Sequence, residues 1–334
     1  MIATTTPGAL DQETMSWFAQ ILKNWIPFPF LGKYLSCGVH PLWLFVPLVL
    51  LYSFYLGAYF SGCVTSLLFY IYKNKDKKAE DFNSKLWEKP RQVVALLVDT
   101  VGKIWHGYEV IGMEHLPEGP VLIVYYHGAT VFDYAFLVAK LFKEMGRMCY
   151  SVVDHKMYQL PGLKLCLDVL YCKNYNKAEC VEILKKGGLL GISPGGNREG
   201  NFSDDYSIMW NNRKGFAQVA LEARVPIIPI FTQNLREGYR TIGKTKCYFI
   251  SYAGLGRWLY EKTRLVILPI YGGFPVKFRT YIGEPIPYDP TITAMELAER
   301  TKAAIENLRN RYQKRPGNIL RALSERFDKH YKAN

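Results

Sequence analysis

The chain has 334 residues, is 49% hydrophobic and carries a formal net charge of +13. That length admits one large domain or two ordinary ones. The seven cysteines (37, 63, 149, 166, 172, 180 and 247) show neither CxxC spacing nor a paired framework, so they read as reduced, structural thiols. The excess of basic residues raises nucleic acid as a partner, but no zinc-finger, RRM-like or homeodomain-like pattern accompanies it.

In chain order, the first feature is QETMSWFAQILKNWI over residues 12–26, with Trp17, Phe18, Ile21, Leu22 and Trp25 at helical spacing. Such a stripe suits a helix lying at a lipid interface or one packed on the protein's own core. No Asp, Glu, Lys or Arg occurs between Lys33 and Lys73, and residues 41–72 read PLWLFVPLVLLYSFYLGAYFSGCVTSLLFYIY. A bilayer core takes about 20 apolar residues as a helix, so this is expected to be a membrane segment. Pro41, Pro47, Gly57 and Gly62 leave two geometries open, a single tilted crossing or a hairpin. Residues 1–40 carry only Asp11, Glu13, Lys23 and Lys33, whereas KNKDKK follows the segment at once over 73–78. The positive-inside bias therefore puts everything after Tyr72 in the cytosol. The whole net charge lies there too, which suggests anionic headgroups or phosphorylated ligands.

Residues 73–90 read as a polar linker, and 91–334 as one cytosolic domain. RQVVALLVDTVGKIW is expected to be a helix, VLIVYY (121–126) a buried strand, and DYAFLVAKLFKEM (133–145) a helix. Further strands are expected at 189–192, 225–231, 264–271 and 276–283, with a helix at 216–223. Thr293 and Glu296 form a capping box for a helix bearing Leu297, Ile305 and Leu308 on one face. Strands alternating with helices predict an α/β domain, a mixed sheet covered by helices, behind an N-terminal membrane-embedded helical segment.

Two stretches carry chemistry. GISPGGNREG (191–200) contains the G-x-S-x-G of a hydrolase elbow. An elbow needs a backbone N–H after the serine, and that residue is Pro194, which has none. The single histidine after Ser193 is His330, close to the end of the chain, so the triad order is poorly met. Ser193 reads instead as a strand-end residue whose hydroxyl satisfies local backbone. The second stretch is YYHGATVFD (125–133). His127 leaves a buried strand just before a helix, where α/β proteins place active sites. Imidazole is suited to take a proton near neutral pH, and a nearby carboxylate such as Asp133 would hold its tautomer. The alternative is a turn histidine followed by a helix-capping Asp133. The remaining histidines show no metal-ligand spacing, so no metal or cofactor is expected.

YYHGATVFD, SPGGNREG (193–200) and RKGFAQVALEARVPIIPIF (213–231), in that order, resemble the glycerolipid acyltransferase superfamily. The resemblance covers roughly residues 105–290. Two departures stand out: five residues separate His127 from Asp133 where the family has four, and Pro-Gly-Gly replaces the usual Pro-Glu-Gly. The Pro-Gly-Gly form is similar to the branch of diacylglycerol acyltransferase 2 and the plant phytyl ester synthases. That resemblance implies an endoplasmic-reticulum enzyme moving a fatty acyl group from acyl-CoA, as co-substrate, to a neutral glycerolipid such as mono- or diacylglycerol. A lysophospholipid or glycerol-3-phosphate acceptor, or a non-catalytic lipid-binding protein, remains open. On this reading His127 is the base and Asp133 orients it. Gly195 and Gly196 let substrate approach the backbone, Arg198 binds a donor phosphate or a carbonyl oxygen, and Glu199 fixes Arg198 or a glycerol hydroxyl. Arg213, with Lys214, is a weaker candidate for the CoA phosphates.

Overall fold

The computed structural model describes residues 45–75, 80–203, 205–241, 262 and 270–327. The helix expected at 12–26 and the start of the apolar segment at 41 lie outside them, as do the basic run beyond Lys75 and residues 264–269 of one expected strand. The chain divides into two compact units, Met1–Ser53 and Phe54–Asn334.

Helix α1 runs from Phe45 to Lys73 without interruption. Pro47 falls in its first turn, where a missing N–H costs no intrahelical bond, and neither Gly57 nor Gly62 breaks it. Its second half, which is part of the second unit, leans on residues 161–166, which follow α4 (His155–Tyr158) and enter α5 (Lys164–Val169). Tyr59 donates to the Pro161 carbonyl at 2.7 Å, and Ser66 Oγ accepts from the Cys166 N–H at 3.1 Å. Leu56, Phe60, Leu67 and Leu68 on the same helix stay exposed. Among the described residues, no helix is long and apolar enough to cross a membrane.

The stretch read as a linker is anchored. Trp87 is fully buried, with Phe69, Tyr72 and Phe82 around its ring at centroid distances of 5.6–5.8 Å. Helix α2 then covers Glu88–His106 and ends at Gly107, whose φ of +53° gives the left-handed cap that terminates helices.

Among the described residues, seven strands form one sheet in the order β1-β9-β6-β2-β5-β3-β4. They are β1 (Glu109–Ile111), β2 (Val121–Tyr125), β3 (Cys149–Val152), β4 (Cys172–Lys173), β5 (Leu189–Ile192), β6 (Ile227–Gln233) and β9 (Arg279–Ile282). Strands β7 (Tyr239–Thr241) and β8 (Ile270–Gly272) pair apart as a two-stranded ribbon. The sheet is mixed: β2 runs parallel to β5 and β6, while β9 is antiparallel to β6. This matches the α/β architecture expected from the sequence.

Strand β2 reads VLIVY because both of its faces are covered. Leu122 and Val124 join the core beneath α6 (Lys177–Lys185), α8 (Gly215–Ala223) and α10 (Ala294–Tyr312). Val121, Ile123 and Tyr125 join a second core with α3 (Phe132–Met145). The cap of α10 is as expected in part: Thr293 accepts from the Glu296 N–H at 3.2 Å, while the Glu296 carboxylate turns to Arg300.

Candidate active site

Parallel register places Val124 of β2 beside Ile192 of β5, and Tyr125 beside Ile230 of β6. The carboxyl ends of these neighbouring strands therefore open at one edge of the sheet, and the chain leaves each with a polar segment. His127 follows β2, Ser193–Gly195 follow β5 and lead into α7 (Gly196–Phe202), and Asn234–Gly238 follow β6. Ligands of open α/β sheets bind at such an edge.

His127 is half-buried. Its Nδ1 lies 2.7 Å from the carbonyl oxygen of Gly128. A carbonyl can only accept, so Nδ1 holds the proton and Nε2 carries the lone pair. Burial lowers the pKa of the ring, Gly128 opposes this, and the charge of Arg236 pushes the same way as burial. The imidazole is thus neutral at neutral pH with its basic nitrogen unengaged among the described residues.

The sequence paired His127 with Asp133, and the structure pairs it differently. Asp133 is buried in the first turn of α3, and its carboxyl is pushed up to about 7 by burial. What favours its charged form is the Thr232 hydroxyl and backbone N–H groups, not the imidazole. Thr232 continues to Thr280 at 2.8 Å and Thr280 to Tyr108 at 2.9 Å, and the Tyr108 hydroxyl returns to the Asp133 carbonyl at 3.4 Å.

The carboxylate that does reach His127 is Glu199. It is fully buried; Oε2 accepts the His127 backbone N–H at 2.8 Å and Oε1 the Met209 N–H at 2.9 Å. Burial raises its pKa to about 7, against the pull of those two bonds and of Arg236 and Arg213. Glu199 therefore ties the His127 segment to the Met209 segment, and no bond from it to Arg198 is present among the described residues.

The remaining expected residues sort as follows. Arg198 is half-buried and makes no hydrogen bond or ion pair among the described residues. Arg213 donates to the carbonyls of Pro194 and Gly195 at 2.7 and 3.2 Å, bracing the loop rather than facing open solvent alone. Gly195 is required by contact, since a Cβ there would collide with the Glu199 carboxylate, and Gly196 adopts a φ of +50°. The Ser193 hydroxyl is buried and has no partner among the described residues, contrary to its expected bond with local backbone.

Two contributors escaped sequence reasoning. Gly200 packs so closely on His127 that a Cβ would collide with the Gly128 carbonyl and lie 2.8 Å from Nδ1. Arg236 donates through Nε to Tyr126 at 2.6 Å and through a terminal nitrogen to the Glu199 carbonyl at 2.9 Å. Tyr126 in turn shares a 2.8 Å bond with Ser203. Arg236 thus fastens the end of β2 to α7. Among the described residues, no group of His, Cys, Asp or Glu forms a metal cluster.

A family model described as Acyltransferase matches residues 107–233, which include the whole of this site up to the end of β6. A protein of Mus musculus named "DGAT1/2-independent enzyme synthesizing storage lipids" is 48% identical over 315 residues, 94% of this chain and 93% of its own length. Its namesake from Homo sapiens is 49% identical over 309 residues, 92% of this chain and 93% of its own. Among solved structures, the 1-acyl-sn-glycerophosphate (LPA) acyltransferase PlsC from Thermotoga maritima matches with a TM-score of 0.43 and 17% identity, over 75% of this chain and 97% of that one.

Proposed function

The chain belongs to the glycerolipid acyltransferase superfamily, and from that premise we propose that it moves a fatty acyl group from acyl-CoA to the hydroxyl of mono- or diacylglycerol, yielding di- or triacylglycerol respectively. The observation that carries the mechanism is the bond from His127 Nδ1 to Gly128, which leaves Nε2 as an acceptor. An alcohol is a weak nucleophile until a base within hydrogen-bond reach takes its proton. Nε2 removes that proton as the alcohol oxygen attacks the thioester carbon. The carbon–sulfur bond then breaks, and CoA leaves as a thiolate, stable because thiols ionise near pH ~8.5, and takes the proton from the imidazolium to restore the neutral ring. No covalent enzyme intermediate is required. Glu199 and Gly200 hold the histidine segment, and Asp133 anchors the start of α3 beside it.

A neutral lipid acceptor dissolves in a bilayer, so the enzyme works at a membrane. The exposed faces of α1 and α2 support this. On α2, Arg91, Asp99 and His106 point inward, while Val93, Leu97, Val101 and Ile104 face solvent, Ile104 at 66% exposure. A helix with its apolar stripe outward is built for lipid rather than water. The endoplasmic reticulum, with the catalytic part on the cytosolic side, is the location this reading assigns. The names of the mouse and human relatives, which refer to storage lipids, favour a neutral acceptor.

The test is acceptor choice. Membranes carrying the chain, given labelled acyl-CoA, should place label in diacylglycerol when monoacylglycerol is supplied and in triacylglycerol when diacylglycerol is supplied. Label appearing only in phosphatidic acid from lysophosphatidic acid would overturn the neutral-acceptor reading.

A further inference from the structure

A cavity of about 400 Å³ opens where α9 (Leu235–Gly238) meets β7, and Arg236 and Arg240 both line it with Asn201, Ser203 and Thr241. It adjoins the site through Arg236, which bonds the carbonyls of Glu199 and Gly200 and whose charge is felt by His127. One terminal nitrogen of Arg236 is left without a partner among the described residues. Arg240 donates through Nε to the Arg236 carbonyl at 2.7 Å, and both of its terminal nitrogens are unpartnered among the described residues.

The two acids of the cavity form no ion pair with either arginine, although the charge of Arg240 is felt by Glu237. Asp205 pairs with Arg315 at 3.4 Å. Glu237 accepts a short hydrogen bond from Tyr206, and burial pushes its pKa up, which favours its neutral form. Neither Arg236 nor Arg240 lies within ion-pair distance of a carboxylate among the described residues. Both arginines line the one cavity, and the Arg236 guanidinium is fixed by three hydrogen bonds. The planar donors of a guanidinium match phosphate oxygens.

We propose that this cavity is a phosphate site, and that the phosphate it holds belongs to the CoA part of the acyl donor. The assignment rests on the acyl-CoA reading above. Held there, the donor's phosphorylated end is anchored on the β6–α9 side while its thioester lies at His127.

Arg236 braces the site, so Arg240, whose side chain makes one internal bond, is the residue to change. Free CoA is titrated calorimetrically into the purified full chain in detergent, alongside lysophosphatidic acid in mixed micelles. The variants are Arg240→Gln and, as a charge control, the surface change Arg300→Gln. CoA should bind the wild type, at least tenfold more weakly Arg240→Gln, and Arg300→Gln like the wild type. Equal CoA affinity with and without Arg240, an equal loss in Arg300→Gln, absence of CoA binding, or a loss confined to lysophosphatidic acid each overturns the proposal. The two readings separate cleanly. If Arg240→Gln weakens CoA binding but the wild type transfers no acyl group, the activity fails and the phosphate site stands. If transfer proceeds and CoA affinity ignores position 240, the activity stands and the phosphate site fails.

Discussion

His127 donates through Nδ1 to the carbonyl oxygen of its own neighbour Gly128, 2.7 Å away. The tautomer that leaves Nε2 free is thus set by the backbone of the strand-to-helix turn. In a triad that task falls to a carboxylate. Here the nearest carboxylate contact, Glu199, takes the histidine's backbone N–H instead. The ring is oriented by main chain, and the main chain is oriented by a buried acid.

The pH dependence follows from the direction of the His127 shift. Burial and then Arg236 lower its pKa from the usual 6.5, so the basic, neutral ring persists into mildly acidic solution. Acyl transfer requires that proton-free form, so kcat/KM should rise with pH through a midpoint below 6.5 and level off toward pH 8. A profile taken from pH 5 to 8.5 checks this. A midpoint clearly above 6.5 contradicts the assigned surroundings of the ring.

Glu199 links stability to pH in the opposite sense from a surface carboxylate. Its pKa is raised to about 7 from 4.5, so between those values the native state holds more proton than the unfolded chain. Stability therefore falls as pH rises from about 4.5 to 7, and Glu199→Gln, which does not titrate, should flatten that slope. Glu199→Ala leaves two buried backbone N–H groups unpaired at about 1–3 kcal/mol each, and should lower the denaturation midpoint at every pH. Chemical denaturation at pH 5 and 8 reads both effects.

Gly200 tests the closeness of α7 to the histidine. A methyl group there meets the Gly128 carbonyl and His127 Nδ1, so Gly200→Ala must displace one of them. Misplacing a base by about 1 Å costs on the order of 10²-fold in rate. Activity should fall by roughly that factor while circular dichroism stays native. Full activity in a folded Gly200→Ala protein would mean that the packing does not matter to the base.

The parts of the fold that the sequence revealed are those where one local pattern decides. VLIVYY reads as a strand because both faces are buried, and FAQVALEA as a helix because Phe216, Val219, Ala220 and Ala223 share its inner side. Short or partly buried pieces escaped: β3, β4 and the capped helix at Asn176 carry too few residues for a period to show. At the site, His127, Gly195 and Glu199 were legible from their loops. Arg236 was not, because it lies 37 residues beyond Glu199 and is brought back by the pairing of β2 with β6. The role given to Asp133 followed the motif and the family resemblance, while the contacts of its buried carboxyl with Thr232, on a different strand, and with backbone N–H groups have no local signal in the sequence. On α2 the polar Arg91, Asp99 and His106 are buried, which the helix expected over RQVVALLVDTVGKIW did not by itself foretell.

The central claim is that His127 Nε2 is the base for acyl transfer. Membranes carrying the wild type or His127→Ala at equal abundance are supplied with labelled acyl-CoA and diacylglycerol, and label in triacylglycerol is followed over time. The wild type should accumulate label, and the folded, membrane-bound variant should fall to the background of membranes lacking the chain. Equal label from such a variant would contradict the claim.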